Sequence, residues 1–178
     1  MRYVALLRGI NVGGKAKVDM KTLRTTFERL GLDDVTTYIN SGNVVFSTGR
    51  VNRKDLIARI ERAIAKDVGF PVAVTLRTGK ELAALLDAVP SSWVNGTSTK
   101  CDVYFLWPEI DRRGIVDQLP HNPAIEDVRY TKGAVIRRID RANAAKSPMT
   151  KIVGTDLYRR LTARNINTVR KLHDLVTR

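Results

Sequence analysis

The chain has 178 residues, 43% of them apolar, and its 31 Lys and Arg against 18 Asp and Glu give a formal charge of +13. That is enough to bury a core, as one domain or as two small halves sharing an interface, and no stretch approaches the ~18 to 20 apolar residues of a membrane span. The single cysteine, Cys101, excludes an internal disulfide and a paired-cysteine redox or zinc site, and Met1 to Leu7 turns polar too soon for a signal peptide, so a soluble, cytoplasmic protein with no membrane partner is expected.

In chain order, Tyr3 to Leu7 is a continuous apolar run, the pattern of a central strand covered on both faces. A helix starts near Asp19, whose carboxylate can cap free N–H groups, and carries Met20, Leu23, Phe27 and Leu30 at helical spacing before Gly31 ends it. Val35 to Ile39 and Val44 to Phe46 flank Asn40-Ser41-Gly42-Asn43 as the arms of a hairpin. A second helix follows Asn52, with Leu56, Ile60 and Ile64 on one face and Gly69 and Pro71 as stop signals. Val72, Val74 and Leu76 alternate as a half-buried strand. The order strand, helix, strand, strand, helix, strand is that of a ferredoxin-like split unit.

After a helix from Gly79 to Ala88 and a Pro-Ser-Ser linker at Pro90 to Ser92, the order partly recurs. Cys101 to Trp107 reads as a strand, Arg113 to Leu119 as a short helix, and Val128 to Thr131 with Ala134 to Ile139 as a hairpin around Lys132-Gly133. From Pro148 on the tail reads as mostly helical, its last helix following Asn165-Ile166-Asn167. The expected fold class is therefore α+β, with two ferredoxin-like (split β-α-β) subdomains at 1–78 and 79–178, a helical C-terminal tail, and one compact unit overall.

The charge is uneven. Residues 1–89 carry 15 Lys and Arg against 9 Asp and Glu, residues 90–128 carry 3 against 6, and residues 129–178 carry 13 against 3. A basic C-terminal third fits either a solvated surface or a polyanion footprint.

Three segments carry candidate chemistry. In Leu6 to Lys15 an apolar strand runs into a glycine-rich loop flanked by Arg8 and Lys15, where backbone N–H groups can approach an anion closely. The spacing Gly9-x4-Gly14-Lys15 is one residue short of a P-loop, because Ala16 stands where Ser or Thr would hold magnesium. The bland alternative is a tight connection and nothing more. Ser41-Gly42-Asn43 are turn residues in any hairpin, yet a ferredoxin-like unit brings this turn to the edge where the first strand ends, so Ser41 and Asn43 can lie beside Arg8 and Asn11. In Arg164-Asn165-Ile166-Asn167-Thr168 an asparagine is an ordinary helix cap, whereas Arg164, a cation just before a helix N-terminus, opposes the dipole unless an anion lies between them.

Those segments resemble a bacterial family catalogued as domain of unknown function 1697. The resemblance is carried by Ala5-Leu6-Leu7-Arg8-Gly9-Ile10-Asn11-Val12-Gly13-Gly14-Lys15, by Tyr38-Ile39-Asn40-Ser41-Gly42-Asn43-Val44, and by Thr162-Ala163-Arg164-Asn165-Ile166-Asn167-Thr168-Val169. It implies an α+β fold of two ferredoxin-like subdomains and brings no activity, substrate or cofactor. Asp19 stands where the family usually has proline, one helix-start device for another. Ile166 replaces the aromatic of an Asn-Trp-Asn sequence, which removes a ring-stacking role there.

The catalytic inventory is sparse. His121 sits in a loop, His173 lies beside the apolar stripe of the last helix, and neither is near the motif serines in sequence; no metal-binding pattern occurs. Catalysis without a metal would have to use Lys15, Lys17, Tyr38 or Ser41. The expectation is a small anionic ligand, phosphorylated or carboxylated, bound by Arg8, Gly9, Asn11, Gly13, Gly14, Lys15, Ser41, Asn43, Arg164, Asn165, Asn167 and Thr168, with no cofactor specified. The alternative is a nucleic-acid-binding module using the basic C-terminal region, although strand Tyr3 to Leu7 lacks the aromatic pair of RNA-recognition sheets.

Overall fold

The computed structural model describes residues 1–13 and 16–178. The chain is α+β, with two four-stranded antiparallel sheets. It divides into two units, one of Met1–Lys80 with Leu172–Arg178 and one of Glu81–Lys171.

The first unit runs β1 (Arg2–Leu7), α1 (Met20–Arg29), β2 (Asp33–Tyr38), β3 (Asn43–Ser47), α2 (Arg53–Val68) and β4 (Val74–Arg77), and α3 (Gly79–Asp87) begins at its end. Local chemistry sets the helix limits. Asp19 accepts the Thr22 N–H at 2.9 Å to start α1, and Asn52 accepts from Lys54 and Asp55 to start α2. Gly69, at φ 84°, ends α2 by donating its N–H to the Ala65 carbonyl at 2.9 Å, a left-handed cap that glycine adopts without a Cβ penalty.

Strand order in this sheet is β2-β3-β1-β4. The central place of β1 explains its unbroken apolar run, since every residue from Tyr3 to Leu7 is buried. Tyr3, Ala5 and Leu7 share a core with Leu23 and Phe27 of α1 and Leu56, Ile60 and Ile64 of α2. There Phe27 meets Phe46 edge-on, with ring centroids 5.4 Å apart. The half-buried pattern expected for Val72 to Leu76 is not observed, because Val74, Thr75 and Leu76 are all buried. Thr75 tolerates burial because its hydroxyl accepts from the Arg77 guanidinium at 2.6 Å.

The second unit takes in α3 from Glu81 and runs on through β5 (Thr99–Leu106), 3-10 turns at Pro108–Ile110 and Arg113–Gln118, β6 (Glu126–Thr131), β7 (Ala134–Asp140), further 3-10 turns at Arg141–Lys146 and Pro148–Ile152, α4 (Asp156–Arg159) and β8 (Leu161–Asn165) into α5 (Ile166–Val176), whose residues from Leu172 on belong to the first unit. The sheet order is β6-β7-β5-β8. β8 is a strand the sequence does not announce: inside the mostly helical tail, Leu-Thr-Ala-Arg-Asn has one β-branched residue, and pairing with β5 makes it a strand.

The two sheets repeat each other in register. Val4 faces Val45 and Arg77, just as Val103 faces Ile136 and Arg164. The Leu7 N–H donates to Gly42 at 2.8 Å and the Leu106 N–H to Gly133 at 2.9 Å. Arg77 and Arg164 both fold back onto the threonine two residues before them and the intervening carbonyl. The halves differ where the first hairpin turn has four residues, 39–42, and its counterpart has only Lys132 and Gly133.

Candidate functional site

That longer turn and the loop after β1 meet at one edge of the first sheet. Leaving β1, the chain is fixed on both sides, by the Leu7 N–H on Gly42 and the Arg8 N–H on Ala73 at 2.9 Å. Ile10 is buried beneath the loop. Asn11 then takes φ 54°, an uncommon conformation for a residue with a side chain. Its amide holds the turn open. Nδ2 donates to the carbonyls of Val18 at 2.9 Å and Asn40 at 2.8 Å, and Oδ1 accepts the Val18 N–H at 2.8 Å.

The hairpin side has its own brace. Buried Asn43 donates from Nδ2 to the Tyr38 carbonyl at 2.9 Å and to the Ser41 hydroxyl at 3.0 Å. Gly42, at φ 78°, could not carry a side chain for a second reason: a Cβ would stand 2.8 Å from both Ile10 Cδ1 and Leu7 Cβ. Ile39, exposed, takes φ 48°, a strained state for a β-branched residue. Of the four described non-glycine residues at positive φ, Asn11, Ala16 and Ile39 lie in these two loops, and Gly9, Gly13 and Gly42 join them.

Between the loops and the start of α1 lies an open depression of about 490 Å³, lined by Asn11, Lys17, Val18, Asp19, Met20 and Asn40. Among the described residues its charged groups are the Lys17 ammonium and the Asp19 carboxylate. The Asp19 carboxyl is held below the ordinary carboxylate range, chiefly by the Thr22 N–H. The α1 N-terminus is thus capped by the protein's own anion.

The structure therefore gathers Gly9, Asn11, Gly13, Ser41 and Asn43 in adjoining loops, with Arg8 half-buried at the end of β1. Gly14 and Lys15 lie outside the described residues. In the sequence Asn40 is a turn residue, and its part here comes from its carbonyl, which no side-chain pattern reveals.

Arg164, Asn165, Asn167 and Thr168 belong to the second unit. Arg164 is buried in β8, and its Nη1 donates to the Thr162 hydroxyl at 3.0 Å and to the Ala163 carbonyl at 2.7 Å, back along the strand. Burial pulls its pKa down to about 10. Asn165 accepts the Thr168 N–H at 2.9 Å as the helix cap. The Asn167 amide clamps the Asn95 backbone, accepting its N–H at 3.2 Å and donating to its carbonyl at 2.8 Å. Ile166 is buried and packs.

Many of the basic residues after 128 are engaged inside the second unit. Arg137 pairs with Glu126, Arg138 with Asp127 and Asp140, and Arg159 with Asp156. Arg129 lies over the Trp93 ring at 4.9 Å, and Arg170 donates to the Trp93 carbonyl. Cys101 is buried, which, with Asp102 adding to it, pushes its pKa up to about 12 and leaves the thiol inert. Among the described residues no group of three or more His, Cys, Asp and Glu is placed to hold a metal, and no helix is long and apolar enough to cross a membrane.

Fold and loops together define an α+β protein of two register-matched antiparallel sheets, with its strained polar loops on the first. The family model described as a protein of unknown function, DUF1697, matches residues 1–136, and the chain belongs to that family. The first two motifs fall inside the matched residues and the third, 162–169, lies beyond them. The chain is also similar to a solved structure, the conserved bacterial protein SP0830 from Streptococcus pneumoniae, at 29% identity over 98% of each chain with a TM-score of 0.82. No curated protein matches it.

Proposed function

We propose that the protein binds a small anionic ligand, phosphorylated or carboxylated, on the paired loops of its first unit. The observation that carries this reading is the crowding of left-handed residues, three of them with side chains, into two loops tied by the Asn11 amide. A fold that needs only to turn can do so with two residues, as Lys132-Gly133 does at the equivalent place. Strain kept at one loop pair and absent from its counterpart supports a binding role. Lys17 supplies the charge, Asn11 and Asn40 line the wall, and Val18 and Met20 give an apolar flank. The reading includes a cytoplasmic location, supported by a lone, buried cysteine.

A thermal-shift screen of nucleotides, sugar phosphates and organic acids tests it, followed by titration of Lys17→Ala with any compound that stabilises. A stabilising anion whose binding weakens about tenfold in Lys17→Ala is the expected result. No stabilisation by any of them at millimolar concentration would count against the reading.

A further inference from the structure

A second polar depression, of about 310 Å³, lies in the second unit and is lined by Asn95, Lys100, Asp102, Arg141, Ala163, Arg164 and Asn165. Strand alternation sorts its walls. Lys100 and Asp102 are two apart in β5, and Asp102 faces Asn165 while Tyr104 faces Ala163, so these side chains share one face of the sheet. Arg164 falls between Ala163 and Asn165, and its guanidinium leaves on the other face toward Thr162. Arg141 arrives from the end of β7, one residue past the Thr99 to Asp140 pair.

Asp102, Arg141 and Asn95 are each held by neighbouring groups. Asp102 lies 3.4 Å from Lys100 Nζ and 3.6 Å from Arg137 Nη1, with 15% of its side chain exposed. Arg137 is itself buried and committed to Glu126 and, at 2.7 Å, to the Ser147 hydroxyl. Arg141 donates its backbone N–H to Ser98 at 2.8 Å and its Nε to Gly96 at 2.6 Å, leaving its two terminal amino groups for the depression. Asn95 is fixed by Asn167. Two cations and a carboxylate line one depression, and the ligand that complements them offers negative oxygens to the cations and a proton to the carboxylate.

We propose that this depression is a site for a protonated oxyanion, hydrogenphosphate being the simplest, with Lys100 and Arg141 as charge partners and Asp102 accepting the ligand's O–H. An oxyanion without a proton meets the Asp102 carboxylate oxygen to oxygen and is repelled, so the site discriminates by a mismatch as well as by a fit. Sulfate is such an ion at neutral pH, whereas hydrogenphosphate keeps one O–H.

The test is calorimetric titration of the whole chain with inorganic phosphate and with sulfate at pH 7.5 and low ionic strength. Phosphate should bind at least about tenfold more tightly than sulfate; Lys100→Ala and Arg141→Ala should each weaken it by about tenfold or more, and Asp102→Asn should let sulfate in. Lys100 and Arg141 line this depression and not that of the first unit, so their losses separate this site from the loop site. Equal affinity for the two ions, absence of phosphate binding at millimolar concentration, or wild-type binding by both cation variants would overturn the proposal. Should Asp102→Asn fail to fold, the ion comparison and the two cation variants decide it alone.

Discussion

The Asn11 side chain reaches across to the Asn40 carbonyl at 2.8 Å, joining the loop after β1 to the turn between β2 and β3 across 29 residues of sequence. The same amide brackets Val18 through its N–H and its carbonyl, so one residue sets the path of the chain from the sheet to α1. Asparagine suits this place twice, as an amide that donates and accepts at once and as the non-glycine residue most tolerant of positive φ.

Asn11→Ala removes three hydrogen bonds and keeps a side chain at φ 54°, so it should cost about 2 to 4 kcal/mol. Asn11→Gly loses the same bonds but relieves the backbone, and should recover about 1 kcal/mol of that loss. Urea unfolding followed by circular dichroism measures both. Equal losses in the two variants would show that the left-handed backbone at Asn11 carries no cost.

Gly42 and Gly13 both lie at positive φ, but only Gly42 is boxed in by Ile10 and Leu7, while a Cβ at Gly13 meets nothing within 4 Å. Gly13→Ala should therefore cost about 1 kcal/mol from backbone strain. Gly42→Ala adds overlap in a packed site and should cost about 2 to 4 kcal/mol. If the loops bind a ligand as proposed, Gly13→Val should weaken binding more than it lowers stability, and parallel melting curves and titrations separate the two effects.

The caps at Asp19 and Asn52, the stop at Gly69 and both hairpins were legible because each rests on residues within a few positions of one another. β8 was not, since its strand character comes from β5 and not from Leu161 to Asn165 themselves. The setting of Arg164 has the same origin: in the sequence it is the cation before a helix, and as a member of β8 it is buried and turns onto Thr162. Asn11, Ser41 and Asn43 could be grouped from topology, while Lys17 and Asn40 join the depression only through the way the two loops meet. Lys100 and Arg141 gave no signal, because a lysine in a strand and an arginine in a basic run both read as solvated surface.

Asp67 of α2 accepts from the Thr26 hydroxyl and from the Arg29 guanidinium of α1, and these, the hydroxyl first, hold its carboxyl below the ordinary value of 3.8. The folded state therefore binds the Asp67 proton less readily than the unfolded chain. Its contribution is present above about pH 4 and is lost as the pH falls through the lowered folded value. Asp67→Asn should be less stable than wild type at pH 6, and the difference should shrink as the pH drops toward 2. Unfolding free energies measured across that range check it, and a difference that stayed constant would mean that packing between α1 and α2, and not charge, is what the substitution disturbs.

Glu126 and Arg137 form an ion pair inside the second unit, both almost wholly buried, with Ser147 and Asp102 completing the guanidinium's partners. Taking two charges out of water is expensive, and the pair repays that cost only while both members are present. Arg137→Met leaves the Glu126 carboxylate buried without its cation and should cost about 3 to 5 kcal/mol. Glu126→Gln in the same chain removes the stranded charge, so the double variant should be more stable than Arg137→Met alone, although the second substitution deletes a further native group. Neutralising Glu126 while Arg137 remains strands the opposite charge and should also destabilise. A thermodynamic cycle of the four chains by chemical denaturation gives the coupling, expected to exceed about 1 kcal/mol for residues in direct contact. Additive losses would mean that each side chain is held by its other neighbours, and that the pair is an accident of packing and not a unit of the fold.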